Sequence, residues 1–220
     1  MAHAELYTLS SDSWKLIHVD DEFQPLGNLP TSSFNPSIDG IFSWFEMDDN
    51  VDKVIFSFDM SKEAFTKTHL PDYGIPSKRV HGKLVSFNNS LSFIHDYPLG
   101  DTAKGFDVWV LGEYGVKESW TKYLTIGPLP GIEVPLGFSK TSELLFEDSQ
   151  GELICCDPTT QIMKKLNVSG AKTTLKVCHY RESLVSVKRG HGTVEGTTYL
   201  QGFSFNFESF IQFELNANAV

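Results

Sequence analysis

Cysteine is scarce. The chain has three, Cys155, Cys156 and Cys178, and two of them are adjacent. So sparse and odd a set builds no disulfide framework and suits buried thiols in a reducing compartment. Neighbouring strand positions face opposite ways, so Cys155 and Cys156 are expected on opposite faces of one strand. Positive charge is also short: 18 Lys and Arg stand against 28 Asp and Glu, a formal charge of −10. Phosphate backbones need a basic surplus, so nucleic acid is not an expected partner, and neither is an anionic membrane surface. No apolar run approaches the ~20 residues that span a bilayer. The opening MAHAELYTLSSDSW has no basic stretch followed by an apolar one. That argues against a secretory leader and for a cytoplasmic or nuclear location.

Catalytic signatures are equally thin. There is no G-x-S-x-G, and GFSKTS at 137–142 lacks both the spacing and the following helix of a phosphate loop. Asp48, Asn50 and Asp52 have the spacing of a calcium loop, but Lys53 stands where that loop needs glycine. A solvated connection is the expectation there. His18 and His95 each adjoin carboxylates, an arrangement that can orient an imidazole, yet no nucleophile motif supports either one. The expectation is no catalytic residue, no metal and no cofactor.

Aromatic residues are plentiful at 13%, and only 21% of the chain is charged, which points to a folded core. Part of that aromatic content recurs. YTLSSDSW, FDMSKEAF and CDPTTQIM each place a large residue seven positions after a strand end: Trp14 after Tyr7, Phe65 after Phe58, Met163 after Cys156. Ser10, Ser61 and Thr159 share one offset; Asp12, Glu63 and Gln161 share another. VKESW supplies a fourth copy ending at Trp120, after a longer turn. The large residues are spaced by 51, 55 and 43 positions (14 to 65, 65 to 120, 120 to 163). A strand-built repeat of that size implies propeller blades, and kelch-type blades have a period of about 50. On this reading each heavy side chain wedges between neighbouring blades, and the acidic residues and lysines form the wet side of a turn.

The strands fit the repeat. VIFSF, VWVL and LICC are apolar on both faces, as a strand covered on both sides should be, whereas FTKTHL and WTKYLTI mix in polar residues as outer strands do. IFSWF, LSFIH and ELLF precede the apolar runs, and KLVSF and PLGF precede two of those. LKVCHY and SLVSVK would open a further blade, and 190–220 would supply closing strands or a tail. The expected fold is all-β: a single domain over 1–220, built as an incomplete or open β-propeller of four-stranded antiparallel blades. About three full blades are visible, fewer than the four to eight of a closed ring. In such a meander the short turns share one end. The connections at 47–53, 71–82, 97–105 and 127–134 share the other, and loops held on a rigid sheet are where recognition usually sits. Tyr73, Tyr97 and Asp101, placed on that end with side-chain reach, are the candidate partner-binding residues.

The phrases AELYTLSSDSWKLI, VIFSFDMSKEAF, DVWVLGEYGVKESWTK, GELICCDPTTQIMKKLNV and YRESLVSVKRG resemble the F-box-associated domain of plant F-box proteins, a kelch-like group that includes the S-locus F-box relatives. The resemblance runs from about residue 4 to 189, and Glu113–Lys122 is its most specific stretch. It implies a non-catalytic module that holds a protein substrate for a cullin-type (SCF) ubiquitin ligase. An F-box would precede the module and dock on a Skp-type adaptor. None is seen before Ala4, so adaptor and cullin are expected only if an F-box is supplied upstream. The rival readings are a truncated competitor fragment and a propeller hydrolase.

Overall fold

In a computed structural model of the chain, residues 3–8, 11–20, 23, 37–47, 52–74, 80–177 and 209–214 are described. The chain divides into two compact units, Met1–Gln24 with His179–Val220, and Pro25–Cys178.

The first unit contains one antiparallel three-stranded sheet. β1 (His3–Thr8) pairs with β2 (Ser13–Ile17) across a short turn and, on its other side, with β15 (Ser209–Glu214), near the far end of the sequence.

Three four-stranded antiparallel sheets make up the second unit, each wound in simple sequence order. The first is β3 (Ser37–Ile38), β4 (Ile41–Met47), β5 (Lys53–Asp59) and β6 (Ala64–His69). The central sheet is β7 (His81–Phe87), β8 (Ser90–Leu99), β9 (Ala103–Leu111) and β10 (Trp120–Pro130). The third is β11 (Ile132–Phe138), β12 (Leu144–Asp148), β13 (Glu152–Cys156) and β14 (Met163–Ser169). No α-helix occurs among the described residues; a 3₁₀ turn, Lys117–Ser119, precedes β10. The all-β reading and the four-strand blade order are therefore correct, and every strand assigned from the sequence within the described residues has its counterpart. The LKVCHY and SLVSVK segment lies largely outside them, as do 48–51 and Cys178.

The four repeated large residues occupy equivalent register positions. Trp14 pairs with Tyr7, Phe65 with Phe58, Trp120 with Leu111 and Met163 with Cys156, each at the start of an outer strand. The turn before them recurs in detail. Asp12, Glu63 and Gln161 all adopt a left-handed backbone, at φ 47°, 52° and 56°. Asp59 Oδ1 accepts hydrogen bonds from the backbone N–H of Ser61 and Lys62, and Asp157 Oδ1 accepts from Thr159 and Thr160. Such Asx turns fix the reversal locally. Burial pushes the Asp59 carboxyl up, but the bonds from Ser61 and Lys62 outweigh it and hold it at about 2.

The wedge role needs correction. Trp120 is buried and its indole N–H donates to the His69 carbonyl of the preceding sheet at 3.0 Å. Phe65 is half-buried against Phe58 and Trp44 of its own sheet. Trp14 and Met163 are 51% and 41% exposed. All seven residues of β14 are exposed, and no described strand flanks its outer side, so among the described residues Met163 has no neighbouring sheet to wedge against.

Two cores join the sheets of the second unit. Ile38, Ile55, Leu84, Leu91, Phe93 and Trp120 fill the space between the first and central sheets. Phe87, Ile94, Phe106, Phe138, Phe146 and Cys156 fill the space between the central and third sheets. Cys155 faces away from that core, into a cluster with Leu136 and Leu145, as the alternation rule requires. Polar joints repeat alongside the apolar ones. Lys53, the first residue of β5, donates to the Val80 carbonyl just before β7 at 2.7 Å. Lys104, the second residue of β9, donates to the Glu133 carbonyl in β11 at 2.6 Å. Each lysine thus stands at or next to the start of a third strand and grips the main chain at or just before the first strand of the next sheet. The β3–β4 and β7–β8 turns also touch: Asn89 Nδ2 donates to Asp39 Oδ2 at 2.5 Å.

Candidate functional site

The face of the central sheet turned toward the first sheet carries the polar chemistry. Alternation on β8 brings Phe93, His95 and Tyr97 to this face, and on β9 Asp107, Trp109 and Leu111. His95 is the direct cross-strand neighbour of Asp107, and Phe93 of Trp109. Lys122 on β10 pairs with Trp109; beyond a register shift Thr125 pairs with Asp107. Tyr73, arriving on the connection after β6, closes over them.

Asp107 is the centre of this nook. Its Oδ2 accepts from Lys122 Nζ at 2.7 Å and its Oδ1 from the Thr125 hydroxyl at 2.5 Å. The carboxylate is buried, at 8% exposure, whereas the Lys122 side chain remains 43% exposed. Lys122 Nζ also lies 5.2 Å from the centroid of the Trp109 ring. The Tyr73 ring stands 4.2 Å from His95 and 5.7 Å from Trp109, and the Tyr97 ring 5.4 Å from His95. Three buried polar atoms here have no hydrogen-bond partner among the described residues: Tyr73 Oη, His95 Nδ1 and Trp109 Nε1. Burial, reinforced by the negative charge of Asp107, pushes the phenols of Tyr73 and Tyr97 up.

Two glycines make room for the rings. Gly105 lies opposite Tyr97, and a Cβ there would come within 2.5 Å of the Tyr97 ring. Gly82 lies opposite His95 with φ +149°, and a Cβ there would meet the Ile94 carbonyl oxygen at 2.2 Å. Because that clash is with backbone, Gly82→Ala is expected to cost about 1–3 kcal/mol of stability in urea unfolding.

His95 makes stability depend on pH. Burial holds its pKa below the ordinary 6.5; Asp107 and Asp96 pull it up, while Lys122 and His81 add to the lowering. With the folded pKa depressed, the unfolded chain binds the proton first. The contribution is complete above about pH 6.5 and is lost as pH falls through the window below it, with a slope of up to about 1.4 kcal/mol per pH unit. Unfolding free energies measured from pH 8 downward should therefore fall more steeply for the wild type than for His95→Phe.

The three residues chosen from the sequence fare differently. Tyr73 and Tyr97 come together around His95, but Tyr97 is a strand residue rather than a loop residue. β8 runs on to Leu99 and β9 begins at Ala103, so the expected connection at 97–105 contracts to a three-residue turn. The expected connection at 127–134 contracts to Gly131 alone, between β10 and β11. Prolines 98, 128 and 130 fall within those two expected connections, yet all three lie at the ends of strands. Asp101 is exposed at the tip of the turn after Leu99, outside the nook. The shortened connections are stitched together: Gly131 N–H donates to the Thr102 carbonyl, and Ser149 N–H to the Gly131 carbonyl. Asp107 and Lys122 escaped notice as site residues. A lone acid within GFDVWVL was the available signal, since an unpaired charge rarely enters an apolar strand.

Other candidates resolve simply. His18 and Asp20 form an exposed pair at 3.3 Å. Burial and the neighbouring Glu143 push the Cys155 thiol up to about 11, the opposite of a reactive cysteine. Among the described residues no group of three or more His, Cys, Asp or Glu could hold a metal ion. No helix among them is long and apolar enough to cross a membrane.

Comparison with known proteins converges on one group. The F-box protein At3g18320 of Arabidopsis thaliana is 28% identical over 70% of this chain and 49% of its own length. The F-box/kelch-repeat protein At3g44120 and the F-box protein At2g07140, from the same plant, are each 29% identical over 70% of this chain and 40% of their own lengths. The chain thus spans half or less of the length of these relatives. No solved structure matches it. Residues 2–187, which include every strand from β1 to β14, match one family model, and the chain belongs to the F-box associated beta propeller domain family.

Proposed function

We propose that this chain is the non-catalytic substrate-recognition module of an SCF-type cullin ubiquitin ligase. The observation that carries the reading is the family match over residues 2–187, in a chain whose relatives are named as F-box proteins. The fold supports a holding role. The connections around Thr102, Gly131 and Ser149 are cross-linked through backbone hydrogen bonds, so they form a firm end on which a partner can rest. Tyr97 and Asp101 sit on that end, and Tyr73 backs Tyr97 through His95. A protein substrate docks there, in the cytoplasm or nucleus. A Skp-type adaptor and a cullin join through an F-box supplied upstream of this segment.

The test joins the chain to an upstream F-box, reconstitutes the ligase with adaptor and cullin, and identifies proteins from plant extract that become ubiquitylated. Substrates should depend on this segment and should be lost or strongly reduced with the Tyr73→Phe, Tyr97→Ala, Asp101→Asn triple variant. Unchanged ubiquitylation by the triple variant would remove the docking assignment. Ubiquitylation that ignores the segment altogether would remove the recognition role.

A further inference from the structure

We propose that the Asp107 nook is a cation-recognition site, occupied in cis by the ammonium of Lys122 and able to take an arginine or lysine side chain of a protein partner in its place. The inference deepens the recognition reading by naming the chemistry of what is bound.

The acid is the first part of the argument. Asp107 is buried, and a buried carboxylate without a counter-ion is costly, so the position demands a cation. The cation it has is part-exposed. Lys122 stands on the outermost strand of the sheet with its side chain 43% exposed, and its flexible four-carbon stem can swing to solvent without moving the backbone. The walls are the second part. Trp109 presents its ring to the ammonium at 5.2 Å, and Tyr97 and Tyr73 stand around His95 beside it. Aromatic faces over a desolvated charge are how proteins hold guanidinium and ammonium groups. The third part is independent of Asp107. Tyr73 Oη and His95 Nδ1 are buried and without hydrogen-bond partners among the described residues, and both can accept from an N–H donor. The Lys122 ammonium gives Asp107 one of its three donors and serves neither acceptor, whereas a guanidinium has five N–H donors in a planar fork and can serve the carboxylate and further acceptors together. The occupant is a protein side chain because the surroundings suit an incoming basic segment: the chain carries −10 overall, and exposed Asp101 lies on the turn at the end of β8.

The experiment needs no knowledge of the partner. Lys122→Met keeps the stem and removes the charge. The probes are N-acetyl-arginine methylamide and its neutral citrulline counterpart, titrated by calorimetry into wild type, Lys122→Met and the Lys122→Met, Asp107→Asn double variant. The arginine probe should bind Lys122→Met at least about tenfold more tightly than wild type. The citrulline probe should not distinguish the two, and the double variant should lose the gain. Equal binding of both probes, or no gain in Lys122→Met, overturns the proposal. If Lys122→Met folds poorly, the wild type decides: the arginine probe must shift the NMR signals of the Lys122 side chain, and their constancy under saturating probe overturns it. Because the readout is a small molecule, its failure leaves the ubiquitylation test of the recognition role untouched.

Discussion

Replacing Trp120 with alanine is expected to lower the unfolding free energy by about 3–5 kcal/mol, the cost of deleting a large buried aromatic from a close-packed core. Its indole lies among Ile38, Ile55, Leu84, Leu91, Phe93 and Leu111, drawn from both sheets that it joins. Its N–H reaches across to the His69 carbonyl at the end of β6. The turn before it is committed to the same joint: Gly115 N–H donates to the Thr68 hydroxyl of the first sheet, and Tyr114 packs on the shared core. Trp120→Phe should retain most of the apolar contact and forfeit the hydrogen bond, a loss of about 1 kcal/mol from that term. Urea unfolding of both variants separates the two contributions. If the alanine variant loses less than about 1 kcal/mol, the indole is not a joint between the sheets.

Substituting leucine for Glu147 should be comparably damaging, at about 2–5 kcal/mol, by a different route. Glu147 is 1% exposed on β12. Its carboxylate accepts from the backbone N–H of Thr173 and, at 3.2 Å, from that of Leu175. It thereby ties down the segment that follows β14, from which Leu175 and Val177 pack against Leu145 and Cys155. Leucine fills the space but removes both acceptors, and a hydrogen bond to a charged group is worth about 1.5–3 kcal/mol. Glu147→Gln keeps one acceptor oxygen and should be milder. Hydrogen exchange at Thr173 and Leu175 reads the effect directly: both amides should lose protection in the leucine variant while the amides of β8 and β9 keep theirs.

How much of this was legible in the sequence depended on whether a feature was periodic. The strands and their order could be read because each blade repeats one polarity pattern. The register of Trp14, Phe65, Trp120 and Met163 could be read because a fixed offset links each to its strand end. Burial could not be inferred from that offset, since it depends on what lies beside the outer strand. Trp120 has the first sheet against it; Met163 sits on a strand with no described neighbour on its outer side. Strand ends were also hard to place. Pro98, Pro128 and Pro130 look like loop residues, yet two strands of the central sheet extend through them, and Tyr97 moved from loop to strand as a result. The nook stayed hidden because its members, Tyr73, His95, Asp107 and Lys122, are far apart in sequence and only the cross-strand register unites them. The turn chemistry was half visible: the serine and threonine offsets were noted, but Asp59 and Asp157, which accept the turn's hydrogen bonds, were not.

The paired clasps of Lys53 on Val80 and Lys104 on Glu133 have a bearing on how such chains grow. In each case the donor is a side chain carried by one repeat, and the acceptor is a main-chain carbonyl that any following repeat will offer. The fastening therefore places no demand on the identity of the residue it grips. A duplicated stretch of gene encoding one whole repeat would arrive with its own fastener and meet a ready acceptor at the splice, so tandem copying can lengthen the array before any compensating mutation arises.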